Sequence, residues 1–182
     1  MTTVSTTRSG HRWVNGFGVL LLLLVLTGCA HSAGARREAA RVLPERLAAL
    51  GPTVSQDEAQ RAAACAYDSA QQLAREYRVV GPPLFHNFLV NLGLRKRGLC
   101  YHWAEDLAAR PQSLKLTTLD LHWGIARAGS LREHNSVIVT AKGQPFEEGI
   151  VLDGWRHSGR LYWAPVTSDR YPWQEGELDP PR

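Results

Sequence analysis

Little in this chain advertises a function. Three cysteines in 182 residues, Cys29, Cys65 and Cys100, allow one intrachain disulfide at most, which excludes a dense disulfide framework. Cys100-Tyr101-His102 lacks a second Cys/His pair and does not have a usual zinc-site spacing, so no metal is expected. No phosphate-cradling glycine loop, no paired-carboxylate glycosidase motif and no internal repeat is recognisable. The longest apolar run, Phe17 to Leu26, is shorter than the about 20 residues of a comfortable membrane span. No acidic residue precedes Cys29. What is present is ordinary globular material: 44% hydrophobic and 21% charged residues exclude disorder throughout.

The first residues read as a targeting segment. Arg8 and Arg12 supply a positive flank, the leucine-rich run follows, and Leu26-Thr27-Gly28-Cys29 closes it. This order resembles the bacterial lipoprotein signal with its lipobox. The resemblance implies that residues 1–28 are removed and that Cys29 is acylated, several chains together giving stable anchoring. Ala30 stands where an aspartate often retains such products at the inner membrane. The expected location is therefore the cell envelope, at the outer membrane facing the periplasm. An uncleaved single-span anchor is the alternative, and it leaves the domain on the same side. Removing 28 residues from 182 leaves 154, enough for one domain with its own core. Arg8 and Arg12 carry two of the formal +4, so the chain from Cys29 onwards is near +2. Such a balance does not argue for nucleic acid. Arg95-Lys96-Arg97 is the one tight basic cluster and reads as solvated surface.

The mature chain divides into a tether and N-terminal helix over 29–54, a main domain over 55–175 and a tail over 176–182. Ala35 to Leu50 has helical composition, with Pro44 limiting its regularity, and Gly51-Pro52 breaks it. Ser55 followed by Glu58 has capping-box spacing. The helix after it should run to about Tyr77, with Ala59, Ala62, Ala66, Ala70, Leu73 and Tyr77 as one apolar stripe and Cys65 a small buried neighbour. Gly81-Pro82-Pro83 is a second break. Leu84 to Leu94 then places Phe85, Phe88, Leu89 and Leu92 on one helical face. A further helix should open near Cys100 and stop before Pro111. Beyond Pro111 the period shortens. Leu114 to Trp123, Ser136 to Ala141, Gly149 to Leu152 and Leu161 to Val166 are strand-like, with glycine-rich turns between them. Helices followed by strands predict an α+β fold, N-terminal helices packed on an antiparallel β-sheet.

Chemistry concentrates at Gly98-Leu99-Cys100-Tyr101-His102-Trp103-Ala104. A thiol is mostly protonated at neutral pH, and a helix N-terminus or a neighbouring imidazolium favours its thiolate. Gly98 lets the backbone bend there without a side chain. His134 heads the apolar run Val137-Ile138-Val139, and Asp153 ends Ile150-Val151-Leu152. Adjacent strands can bring the carboxylate beside the imidazole and hold its tautomer. Asn135 or Asp120 can orient the ring instead, and Asp153 before Gly154 also suits a turn. Cys65–Cys100 pairing is the structural alternative for the thiol. For an oxyanion, the backbone N–H of Cys100 is the best donor, with Asn87 and Asn91 as side-chain possibilities.

The Gly-x-Cys-x-x-Trp-Ala opening, the strand-heading histidine and Leu-Asp-x-Trp resemble the transglutaminase-like group of the papain-like cysteine peptidase superfamily, over roughly Leu84 to Val166. The resemblance implies a papain-like core with Cys100 as nucleophile, His134 as base and Asp153 as orienting acid. It also implies hydrolysis or acyl transfer at peptide or protein amides, cell-wall peptide among them, with no cofactor. His134 is followed by Asn135-Ser136 where the family frequently has an aromatic residue. A binding or scaffolding lipoprotein that retains the fold without turnover is the competing expectation.

Overall fold

The computed structural model describes residues 41–177. The leader 1–28, Cys29 and the Asp179-Pro180-Pro181 end lie outside those residues. Among these residues four helices precede a five-stranded sheet, so the fold class is α+β. The helices are α1 (41–48), α2 (Gln56–Glu76), α3 (Pro83–Asn91) and α4 (Cys100–Gln112). The strands are β1 (Leu119–Ala126), β2 (His134–Ala141), β3 (Ile150–Asp153), β4 (Tyr162–Pro165) and β5 (Trp173–Gly176). They lie in the order β4-β3-β2-β1-β5, all antiparallel. Among the described residues, no helix is long and apolar enough to cross a membrane.

α2 opens where the serine cap predicts. Ser55 accepts a hydrogen bond from the Glu58 N–H at 3.4 Å. The reciprocal half of the capping box does not form. The Glu58 carboxylate instead accepts from the backbone and hydroxyl groups of Thr117 and Thr118 at 2.7–3.0 Å, stapling α2 to the start of the sheet. The alanine stripe from Ala59 to Leu73 is buried in the core, where α2 packs on α4, and Tyr77 caps the helix. Alanine matters here because it lets α2 and α4 approach closely.

The core lies between the helices and one face of the sheet. Leu43 and Leu47 of α1, the α2 stripe, and Trp103 and Leu107 of α4 meet Val137, Val139 and Leu152. A smaller apolar cluster covers the other face, where Ile138 and Val151 meet Phe146, Val166 and Trp173. β2 is therefore buried along all eight residues. Each large side chain so enclosed contributes roughly 1.5–3 kcal/mol of transfer free energy.

Four features depart from or add to the sequence reading. α4 does not stop before Pro111 but runs through it to Gln112. The ring sits in the last turn, where only one backbone bond is sacrificed, and it is buried. β1 begins at Leu119, and of the alternating leucines before it Leu114 lies in a turn and Leu116 in irregular chain. β5 has no alternation to mark it, yet it pairs with β1 from Trp123↔Gly176 to Ala126↔Trp173. α3 forms, but its Leu84, Phe85, Phe88 and Leu92 face solvent, and His86 is the residue it buries.

Candidate active site

Cys100 is the first residue of α4, and the turn before it is built around Gly98. Gly98 has φ of 129°, and a Cβ there would lie 2.3 Å from His86 Nε2. His86 is pinned in that contact: its Nδ1 accepts from the Val80 N–H at 3.3 Å, so Nε2–H donates to the Arg97 carbonyl at 3.1 Å. The Trp103 indole donates to the Gly98 carbonyl at 3.0 Å. His102 caps its own helix, its Nδ1 accepting from the N–H groups of Gly98 and Leu99. Arg97 is committed to Glu105 and Asp106 at 2.8 and 3.1 Å.

β2 and β3 bring the remaining two residues together. Val137 pairs with Leu152, so Asp153 lies one step beyond that pair and His134 three steps before it, at the same end of the sheet. Asp153 Oδ2 accepts from His134 Nε2 at 2.6 Å, with both side chains almost fully buried. The other ring nitrogen, Nδ1, is buried and makes no well-formed hydrogen bond. It is the ring nitrogen that the carboxylate leaves over, and His134 and Cys100 shift each other's titration. Trp155, Tyr171 and Trp173 surround the imidazole, with ring centroids at 4.8, 4.7 and 5.4 Å. Such rings exclude water and favour a cation between their faces.

Burial opposes charge on both partners, yet mutual stabilisation wins. Desolvation pushes the Cys100 thiol up; the hydrogen bond and charge of His134 and the Asn135 amides bring it below its ordinary value. Desolvation pushes His134 down, and Asp153 together with Cys100 raises it to about 9. Both shifts favour the thiolate–imidazolium pair over its neutral counterpart. Asp153 is held below the usual carboxylate range: burial is the largest influence and raises it, but His134 and Arg156 outweigh it.

Asp153 also forms the turn that its glycine neighbour suggested. Its Oδ1 accepts from the Arg156 N–H at 2.9 Å, while Arg156 Nε donates to Oδ2 at 3.1 Å. The same guanidinium grips both oxygens of Asp169 at 2.8 Å. Charges thus alternate from His134 through Asp153 and Arg156 to Asp169, and Tyr162 lies under the Arg156 guanidinium at 3.8 Å. Arg156 and Asp169 were not singled out in the sequence. Only the position of Arg156, three residues past Asp153 in a turn, hinted at the first.

The other candidates separate cleanly. Asp120 binds Lys142 and the Gly143 N–H at the far end of β1 and does not orient the imidazole. Asn135 does not bond the ring either. Its Oδ1 accepts from Trp123 Nε1 at 2.9 Å, and its Nδ2 lies 3.9 Å from Cys100 Sγ. Asn87 accepts from Trp155 Nε1 at 3.0 Å and so braces a ring that packs on His134. Asn91 is exposed at the end of α3. Cys65 and Cys100 are both free.

No family model, curated protein or solved structure matches this chain.

What bears on function is the local chemistry: an ionisable sulfur, an imidazole to carry its proton, a buried carboxylate to hold that ring, and amide donors beside the sulfur. Among the described residues no group of histidine, cysteine and carboxylate side chains is arranged to hold a metal ion.

Proposed function

We propose that this chain is a lipid-anchored cell-envelope cysteine hydrolase or acyl transferase acting on amide bonds, with a papain-like, transglutaminase-like core. The observation that carries the reading is the assembly of Cys100, His134 and Asp153, with His134 Nε2 bound to the carboxylate and Nδ1 left for the thiol. The Cys100 thiolate attacks the amide carbon, and the carbonyl π pair moves onto oxygen. The backbone N–H of Cys100 and the Asn135 Nδ2 are the donors for that oxyanion. As it collapses, the C–N bond breaks, and the amine leaves with the proton from His134 Nδ1. A thioester remains on Cys100. Water, losing a proton to Nδ1, releases the acid; an amine in its place yields a transferred amide. Asp153 keeps the imidazole in register, and Arg156 holds Asp153 ionised. Peptide or protein amides, with cell-wall peptide among them, are the substrate class, and Cys29 with its lipid is the membrane link.

The decisive experiment is alkylation by iodoacetamide under reducing conditions, mapped by mass. Cys100 should label far faster than Cys65, and His134→Ala should slow that labelling. A folded protein whose Cys100 stays unlabelled would defeat the proposal. The second reading, a binding lipoprotein without turnover, draws on the depth of His134, which is only 2% exposed. Full complementation of a deletion by Cys100→Ser would select it.

A further inference from the structure

α3 is built inside out. Leu84, Phe85, Phe88 and Leu92 fall within about 100° of one another around a helix of 3.6 residues per turn, and this arc faces solvent at 73, 47, 55 and 56% exposure. Val80 and Leu94 extend the patch at either end. Among the described residues, six of the seven exposed large apolar side chains belong to residues 80–94, so the exposure is localised rather than scattered.

The inner side of the helix is polar and committed. His86 is tied to Val80 and Arg97, and Asn87 to Trp155. α3 therefore cannot roll over to bury its leucines without losing the turn that carries Cys100.

Charge identifies what would cover this face. From Tyr77 to Ala104 the chain has Arg78, Arg95, Lys96 and Arg97 and no acidic residue. Arg97 is neutralised by Glu105 and Asp106, whereas Arg78, Arg95 and Lys96 form no ion pair among the described residues. An apolar arc of leucine and phenylalanine flanked by unneutralised cations matches the boundary between acyl chains and anionic headgroups. The proposed anchor adds a reach argument. Eleven residues, 30–40, separate Cys29 from the first described residue, a span of at most about 40 Å fully extended. The domain thus stays within contact distance of the bilayer.

We propose that α3 docks on the anionic phospholipid surface to which the chain is tethered, sinking Leu84, Phe85, Phe88 and Leu92 among the acyl chains while Arg78, Arg95 and Lys96 contact headgroup phosphates. The docking needs no thiol chemistry, so it stands or falls apart from the enzymatic reading. It gives that site a setting, because the inner side of α3 touches the Gly98 turn.

The test uses the full chain as the cell processes it, reconstituted into phosphatidylcholine–phosphatidylglycerol vesicles. A photoreactive phenylalanine analogue replaces Phe88, and in a separate sample Leu131, the exposed leucine outside the patch. Position 88 should give a phospholipid adduct and position 131 should not. Arg95→Glu with Lys96→Glu should lower the adduct about fivefold or more for each charge removed, as should pure phosphatidylcholine vesicles. Phe88, Leu131 and Lys96 are exposed, Arg95 and Cys100 partly so, and an unchanged circular dichroism spectrum verifies folding of every variant. Equal adducts at both positions, a protein adduct at 88 in native membranes, or no lipid adduct at all would overturn the inference. Cys100→Ser should leave the adduct unchanged.

Discussion

Trp123 donates its indole N–H to Oδ1 of Asn135 at 2.9 Å and so turns the amide nitrogen towards Cys100. Both side chains belong to the helix-facing side of the sheet, where Ile125 is the cross-strand partner of Asn135 and Trp123 that of Val137. A fully buried indole thus fixes which end of the amide meets the sulfur. If that nitrogen receives the oxyanion, Asn135→Ala should lower acylation by a p-nitrophenyl ester about 10²–10³-fold. Alkylation of Cys100 by iodoacetamide, which develops no oxyanion, should fall much less. Equal losses in both assays would mean that Asn135 serves only the thiolate.

The paired shifts of Cys100 and His134 set a pH window. Acyl turnover should rise as Cys100 loses its proton, below the ordinary thiol value of about 8.5. It should fall again near about 9, where His134 loses the proton that the leaving amine needs. Alkylation should keep its alkaline plateau, since the thiolate alone suffices. A common single midpoint at the ordinary thiol value would refute the pairing. For stability the sign follows from His134 being raised: its contribution is complete below about 6.5 and is lost as pH climbs through about 9.

Arg156 is buried between Asp153 and Asp169, so removing it strands two carboxylates. Arg156→Leu should destabilise the domain by about 3–5 kcal/mol, read as a lower urea midpoint. Arg156→Lys keeps charge but not the two-pronged grip, and should cost less stability. A loss within experimental error for Arg156→Leu would show that the alternating charges are dispensable.

Glu58 is a separate acid-sensitive staple. Burial pushes its pKa up, but the N–H and hydroxyl groups of Thr117 and Thr118 prevail and hold it at about 2. Because the folded value is depressed, the stability it contributes is present above about 4.5 and is lost as pH falls towards about 2. Glu58→Gln should be less stable than the parent at neutral pH, with the gap closing across that acid range in denaturant titrations. A gap independent of pH would assign the loss to packing.

Periodicity carried much of the fold. The step of three and four from Ala59 to Leu73 placed α2 and its buried face, and the runs at 136–141 and 149–152 placed the two central strands. These signals are legible because each element repeats its own burial pattern. β5 was not, since its burial is a property of the neighbouring strand. α3 shows the opposite case. Its apolar stripe was visible, but whether a stripe faces the core depends on what lies outside it.

The candidate site divides along the same line. Cysteine at a helix start, histidine at a strand head and aspartate at a strand tail are local placements, so residue order and hydrophobic patterning sufficed to nominate Cys100, His134 and Asp153. Residue order also marked the breaks before α2 and before α3, at Gly51-Pro52 and Gly81-Pro82-Pro83, because proline and glycine act on their own backbone. Packing alone decided that Asp153, rather than Asn135 or Asp120, meets the imidazole, that Asn135 turns to the sulfur, and that Arg156 and Asp169 continue the charge chain. Those choices depend on strand register and on a few ångströms between residues far apart in the chain. Hydrogen bonds and ion pairs are short-ranged in space, and nothing in a linear order of side chains encodes which distant partners will come within reach.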